Sequence, residues 1–168
     1  MHLYSSVAEY IKSLPAGEKK LVFFNSINQA KTLAKAGLKF DMMSAEGSKR
    51  DVEENKLHYR VFDGTLGNVT LATSAYYQAC DIHERAHVIF VVNMPHAPHT
   101  MLTVNQIIQA LGRCRKGVLS ATLIFRPTRN AVSRGWEDIE KEVTAEADSK
   151  LASSSIELSG LYSQQRNP

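Results

Sequence analysis

Short apolar runs constrain this chain most: Leu21-Val22-Phe23-Phe24, which lacks any polar alternation, Val69 to Thr73, rich in β-branched residues, Val88 to Val92 and Val118 to Phe125. A strand with one wet face alternates polar and apolar side chains, whereas a strand covered on both faces does not. Phe40 to Met43 reads as one more strand, and Val88 to Val92, the most hydrophobic run, is the candidate for the sheet centre. Between the runs lie segments with helical spacing. Val7, Tyr10, Ile11 and Leu14 form the first, ended by Pro15-Ala16-Gly17. Asn25-Ser26 cap a second from about Ile27 to Ala36, and Gly37 stops it. Asp51 to Phe62 reads as a charged surface helix closed by Asp63-Gly64. Val104, Ile107, Ile108 and Leu111 mark the next, and Val132, Trp136, Ile139 and Val143 the last. Strands alternating with helices predict an α/β fold: a mostly parallel sheet with helices on both faces and right-handed crossovers. Ligands of such folds sit beyond the carboxyl ends of the strands, which places Asn25-Ser26, Ser44 to Ser48, Thr73-Ser74 and Asn93 along one working edge.

The 168 residues, 43% of them hydrophobic, suffice for one core. One domain is expected over residues 1–148, followed by a tail over 149–168 whose weak periodicity fits partial disorder or docking elsewhere. Lys and Arg total 20 against 17 Asp and Glu, and a net charge of +3 is too slight to make the whole surface a nucleic-acid or membrane binder. Any basic site is local. No apolar run approaches the roughly 20 residues that cross a bilayer, and Met1-His2-Leu3-Tyr4 lacks the pattern of a secretory signal. Cys80 and Cys114, well separated and outside any CxxC pattern, read as two buried free thiols in a reducing cytoplasm rather than as a disulfide or zinc site.

The stretch richest in chemistry is Gln109-Ala110-Leu111-Gly112-Arg113-Cys114-Arg115-Lys116-Gly117, where an amphipathic helix ends in closely spaced cations. Guanidinium forks bind phosphate oxygens bidentately and stay charged at any relevant pH. A solvated basic helix end that complements the helix dipole is the other reading of the same residues.

The order of three segments resembles the C-terminal RecA-like domain of superfamily 2 helicases of the DEAD/DEAH type. Leu21 to Ser26 followed by a helix is similar to motif IV of that family, Leu71-Ala72-Thr73-Ser74 with Asp81 resembles motif V, and Gln109-x-x-Gly112-Arg113-x-Arg115 resembles motif VI. The resemblance covers about residues 20–126. It departs at Ala79, where the family usually has Gly, and at Lys116, which holds the place of the usual second arginine while Arg115 precedes it. Arg115 is favoured as the arginine finger, with Lys116 kept open.

By that resemblance, Arg113 and Arg115 contact the γ-phosphate, Gln109 orients the attacking water, and Asp81, Gly112 and Lys116 lie near the nucleotide. Asn25, Ser26, Ser44, Thr73 and Ser74 belong to the track of single-stranded DNA or RNA. No G-x-x-x-x-G-K-[ST] run occurs, so the resemblance assigns ATP and Mg²⁺ mainly to an N-terminal RecA-like partner lobe carrying the phosphate loop. This chain alone is then inactive. Contacts to backbone phosphates imply weak, sequence-indifferent and salt-sensitive binding.

His96-Ala97-Pro98-His99 follows Pro95, contains Pro98 and lacks helical metal spacing, so no metal site is expected. Tyr76-Tyr77 either stack on bases or pack on the sheet, and Asp81 with His83 lacks a nucleophile. The rival reading is a noncatalytic α/β module that binds a nucleotide or a protein.

Overall fold

The computed structural model describes residues 3–77, 80–128, 141 and 144–145. The expected helix through Val132 and Trp136, the tail beyond Asp148, and Ala79 lie outside the described residues. The chain divides into two compact units, Met1–Arg129 and Asn130–Pro168. In the second, Lys141, Thr144 and Ala145 are helical.

The first unit alternates strand and helix as α1 (Leu3–Ser13), β1 (Lys19–Phe23), α2 (Ile27–Lys35), β2 (Asp41–Met43), α3 (Lys49–Glu54), β3 (His58–Tyr59), β4 (Val69–Ala72), β5 (Ala86–Asn93), α4 (Val104–Gly112) and β6 (Val118–Arg126). The strands form one six-stranded sheet in the order β3-β2-β4-β1-β5-β6, with every pairing parallel. This is an α/β, RecA-like arrangement. Strand alternation divides the core. Val22, Phe24, Ile89 and Val91 face α1, α2 and α3 through Val7, Ile11, Leu33 and Val52, while Leu21, Phe23, Val88 and Phe90 face α4 through Ala110. Both faces of the inner strands β1 and β5 are thus covered by helices, whereas the edge strand β6 leaves Leu123 and Phe125 exposed. Each large side chain fully buried in the inner strands contributes about 1.5–3 kcal/mol.

Three expectations are corrected. The centre of the sheet is the β4–β1 pair, with β5 beside it between β1 and β6. β5 is the most apolar strand because all of its residues are buried, a property of two-sided cover rather than of central position. The charged helix expected over Asp51 to Phe62 ends at Glu54, and His58–Tyr59 becomes the edge strand β3. Of the α4 residues with helical spacing, Ile107 and Leu111 pack on the core whereas Val104 and Ile108 are 72% and 61% exposed. The buried stripe runs instead through Ile107, Ala110, Leu111 and Cys114.

The early end of α3 has a local cause. Lys56 adopts φ 57°, the N–H of Leu57 donates to the carbonyl of Val52, and that of Lys56 donates to Glu53. These two bonds form a Schellman cap closed by apolar contact between its ends, and Leu57 and Val52 share one core cluster. α2 ends in the same way, with Gly37 at φ 79° and Leu38 N–H donating to Leu33. Glycine advertises the first cap, whereas lysine conceals the second.

At the N-terminal end of β5, buried His87 joins Glu18 through Nε2 (2.5 Å) and Ser120 through Nδ1 (2.8 Å). The contact ties the β1 approach to the edge strand. Left-handed backbone costs a residue with a Cβ about 1 kcal/mol or more. Lys56→Gly is therefore expected to stabilise the fold by about 0.5–1 kcal/mol, read as a higher urea midpoint at unchanged slope. An unchanged or lower midpoint contradicts the cap.

Candidate functional site

The polar residues that the two-sided core cannot hold collect at the strand ends. Beyond the carboxyl ends of β1, β2, β4 and β5 opens a cleft of about 660 Å³. Asn25, Ser26, Thr73 and Ser74 line it, together with Asn28, Gln29, Asp51, Glu54, Asn55, His96 and His99, which the sequence reading did not assign. Ser44 does not reach the lining. It is 1% exposed at the end of β2, and its hydroxyl has no hydrogen-bond partner among the described residues.

Asn25 organises this cleft. Its amide nitrogen donates to the carbonyl of His99 (3.2 Å), and its oxygen accepts from the N–H and the hydroxyl of Ser74 (3.2 and 2.9 Å). One side chain thereby fastens the loops after β1, β4 and β5. Ser26 caps α2 by accepting from the Gln29 N–H at 3.4 Å. The first N–H groups of a helix have no intrahelical acceptor, and Ile27, Asn28 and Gln29, which open α2, line the cleft. No Lys or Arg occurs among the described lining residues, whose only carboxylates are Asp51 and Glu54. A phosphodiester backbone would meet amides, hydroxyls and a helix N-terminus rather than fixed cations.

A second constellation forms upstream of β5 and β6. Ile82 and Cys114 make a parallel bridge, in which Ile82 N–H donates to the Arg113 carbonyl (2.8 Å) and Arg115 N–H donates to the Ile82 carbonyl (2.9 Å). Ile82 and Cys114 are 1% and 6% exposed. Their chain neighbours Asp81, Arg113, which is the C-cap of α4, and Arg115 are partly exposed and meet on one side of the bridge. Oδ1 of Asp81 receives Nη1 of Arg113 at 3.3 Å and Nη2 of Arg115 at 2.8 Å. The hydrogen bond from Arg115, then that from Arg113, holds the Asp81 carboxyl below the usual carboxylate range. Lys116 is exposed in the following turn and is not a partner in these Asp81 ion pairs.

α4 delivers the arginines. Thr103 accepts from the Gln106 N–H (3.2 Å) and Gln106 accepts from the Thr103 N–H (2.9 Å), a capping box that the T-x-x-Q run announces. Gln109 is exposed one turn before Arg113, on the same side of the helix by its i, i+4 spacing. Gly112 is exposed, with nothing within 4 Å of the position of a Cβ. Tyr77 packs edge-on against Phe23 (5.0 Å) and is 3% exposed, while Tyr76 is half-buried against Phe62. Tyr77 thus packs on the sheet and Tyr76 on the loop residue Phe62. Among the described residues no three His, Cys, Asp or Glu side chains converge on a metal-sized site, and no helix is long and apolar enough to cross a membrane.

No protein-family model and no curated protein matches the chain.

Cys80 and Cys114 are both free and buried. Burial pushes the Cys80 thiol up to about 11 from an ordinary value of 9.0 and raises Cys114 as well. The folded chain then holds these protons more tightly than the unfolded one. Stability is at its full value below about pH 9 and is lost as pH climbs through about 11, by at most about 3 kcal/mol for Cys80. Urea midpoints at about pH 8 and about pH 10.5 should show this fall, and Cys80→Ala should lessen it. A midpoint that is flat over that window, or a fall identical in Cys80→Ala, contradicts the assignment.

Proposed function

We propose that this chain is the second motor lobe of an ATP-dependent superfamily 2 nucleic-acid helicase or translocase, working in the cytoplasm. The observation that carries the reading is the Ile82–Cys114 bridge, which joins the segment resembling motif V to the segment resembling motif VI and sets Arg113 and Arg115 side by side. Paired guanidinium groups suit the charge that develops on a transferred phosphoryl group. In this reading Arg113 and Arg115 reach the γ-phosphate of ATP held by an N-terminal lobe, and Gln109 orients water. Asp81, Gly112 and Lys116 lie beside the nucleotide. The ion pairs of Asp81 favour Arg115 over Lys116 as the companion of Arg113. ATP bound between the lobes supplies the phosphoanhydride, and its Mg²⁺ is assigned to the other lobe.

The cleft is the nucleic-acid track of this lobe, and single-stranded DNA or RNA is its ligand. Asn25 shapes the track rather than presenting free donors, since both ends of its amide are engaged. The absence of Lys and Arg from the described lining changes one expectation. Counterion release scales with the cations set against phosphates, so a cleft lined by amides, hydroxyls and the two carboxylates Asp51 and Glu54 gives a shallow salt dependence.

The chain alone should turn over no ATP and should bind fluorescent single-stranded oligonucleotides weakly, without sequence preference. Asn25→Ala unties three loops and is expected to weaken binding about tenfold, if roughly two hydrogen bonds' worth of organisation is lost. Tight, sequence-selective binding that Asn25→Ala leaves intact would favour the noncatalytic module. ATP turnover by the pure chain, abolished by Arg113→Ala, would overturn the half-site reading.

A further inference from the structure

The arginine pair is already occupied. One oxygen of Asp81 takes N–H groups from both Arg113 and Arg115, where a phosphate oxygen would bind in the reading above, on which this inference rests. We infer that Asp81 is an internal competitor for the arginine pair, a carboxylate that occupies both guanidinium forks at one point and must be displaced by the nucleotide phosphate.

The carboxylate is not needed to hold its own loop. Two backbone hydrogen bonds and the burial of Ile82, Cys80 and Cys114 already fix that segment against the end of α4. Exposed ion pairs add little to stability, and these side chains are exposed enough to change partners, with 32% of Arg113, 47% of Arg115 and 43% of Asp81 accessible. The carboxylate occupies both forks. Without it, two uncompensated guanidinium groups stand ready for an incoming anion.

Charge decides the competition. Two guanidinium groups and one carboxylate leave one net positive charge, enough to attract an anion but not to retain a dilute one. A nucleotide polyphosphate carries more charge and more acceptor oxygens than Asp81. It prevails where a second lobe presents it at high effective concentration. Asp81 thus keeps free anions off the lone lobe and releases the arginines when the lobes close.

Inorganic triphosphate titrated calorimetrically into the full 168-residue chain tests this directly. Asp81→Asn should tighten binding on the order of tenfold, as expected when a unit charge beside the bound anion is removed at a protein surface. Asp81→Ser should do the same, and Asp81→Glu, which restores the carboxylate, should return binding to the weak level of the unaltered chain. Adding Arg113→Ala to Asp81→Asn should erase the gain. A merely structural Asp81 would lower the urea midpoint in the Asn and Ser variants without tightening triphosphate binding. If Asp81→Asn leaves affinity unchanged or weaker while Arg113→Ala reduces it, the arginines are phosphate ligands and the inference about Asp81 is wrong. If neither Arg113→Ala nor Arg115→Ala alters triphosphate binding in any background, the phosphate-ligand reading fails and the inference falls with it.

Discussion

Burial of the sheet on both faces governs everything else in this molecule. β1 and β5 place Val22, Ile89 and Val91 toward one helical layer and Leu21, Phe23, Val88 and Phe90 toward the other, all at or below 1% exposed. Strands in that position have no surface on which to carry chemistry, and their backbone polar groups are committed to parallel ladders. Polar function is pushed to the strand ends. Beyond the carboxyl ends lies the cleft fastened by Asn25, and upstream of β5 and β6 lies the arginine pair fastened by the Ile82–Cys114 bridge. The two sites differ in kind. One is lined by amides, hydroxyls, a helix N-terminus and the carboxylates of Asp51 and Glu54, the other concentrates two guanidinium groups around one carboxylate.

The linkage between Asp81 and the arginines gives the resemblance a physical content that the motifs alone lack. Asp81 and Arg113 are 32 positions apart, and nothing in a linear pattern says that they meet. The meeting depends on apolar packing: Cys80, Ile82 and Cys114 enter the core facing α4, and the bridge holds the segment of Asp81 against the end of α4 where Arg113 and Arg115 stand. A polar substitution at Ile82 would therefore disturb the arginines through the core and through the two backbone hydrogen bonds that join Ile82 to them.

Much of the fold was legible in the residues. The unbroken run at Leu21–Phe24 announced a strand covered on both faces, and Ser26 with Gly37 bracketed α2. What failed did so for identifiable reasons. Lys56 takes a left-handed conformation that only glycine or asparagine would have signalled, so α3 looked longer than it is and β3 went unseen. Val104 and Ile108 kept helical spacing while facing away from the core, because an apolar period fixes a stripe only to within one position. At the cleft, Ser26, Thr73 and Ser74 were placed by their positions after strands. Ser44 obeyed the same rule and is buried. The engagement of Asn25 with Ser74 and His99 is a tertiary fact with no local signature.

The central claim is that Arg113 and Arg115 complete an ATP site whose phosphate loop belongs to another lobe. The most direct measurement is nucleic-acid-stimulated ATPase activity of the two lobes together, comparing the unaltered chain with Arg113→Lys and Arg115→Lys. Lysine keeps the charge and loses the fork. The account predicts that each change lowers kcat, by on the order of 10³-fold for a true arginine finger, with nucleic-acid affinity in the absence of ATP nearly unchanged. Full activity in both lysine variants would contradict it.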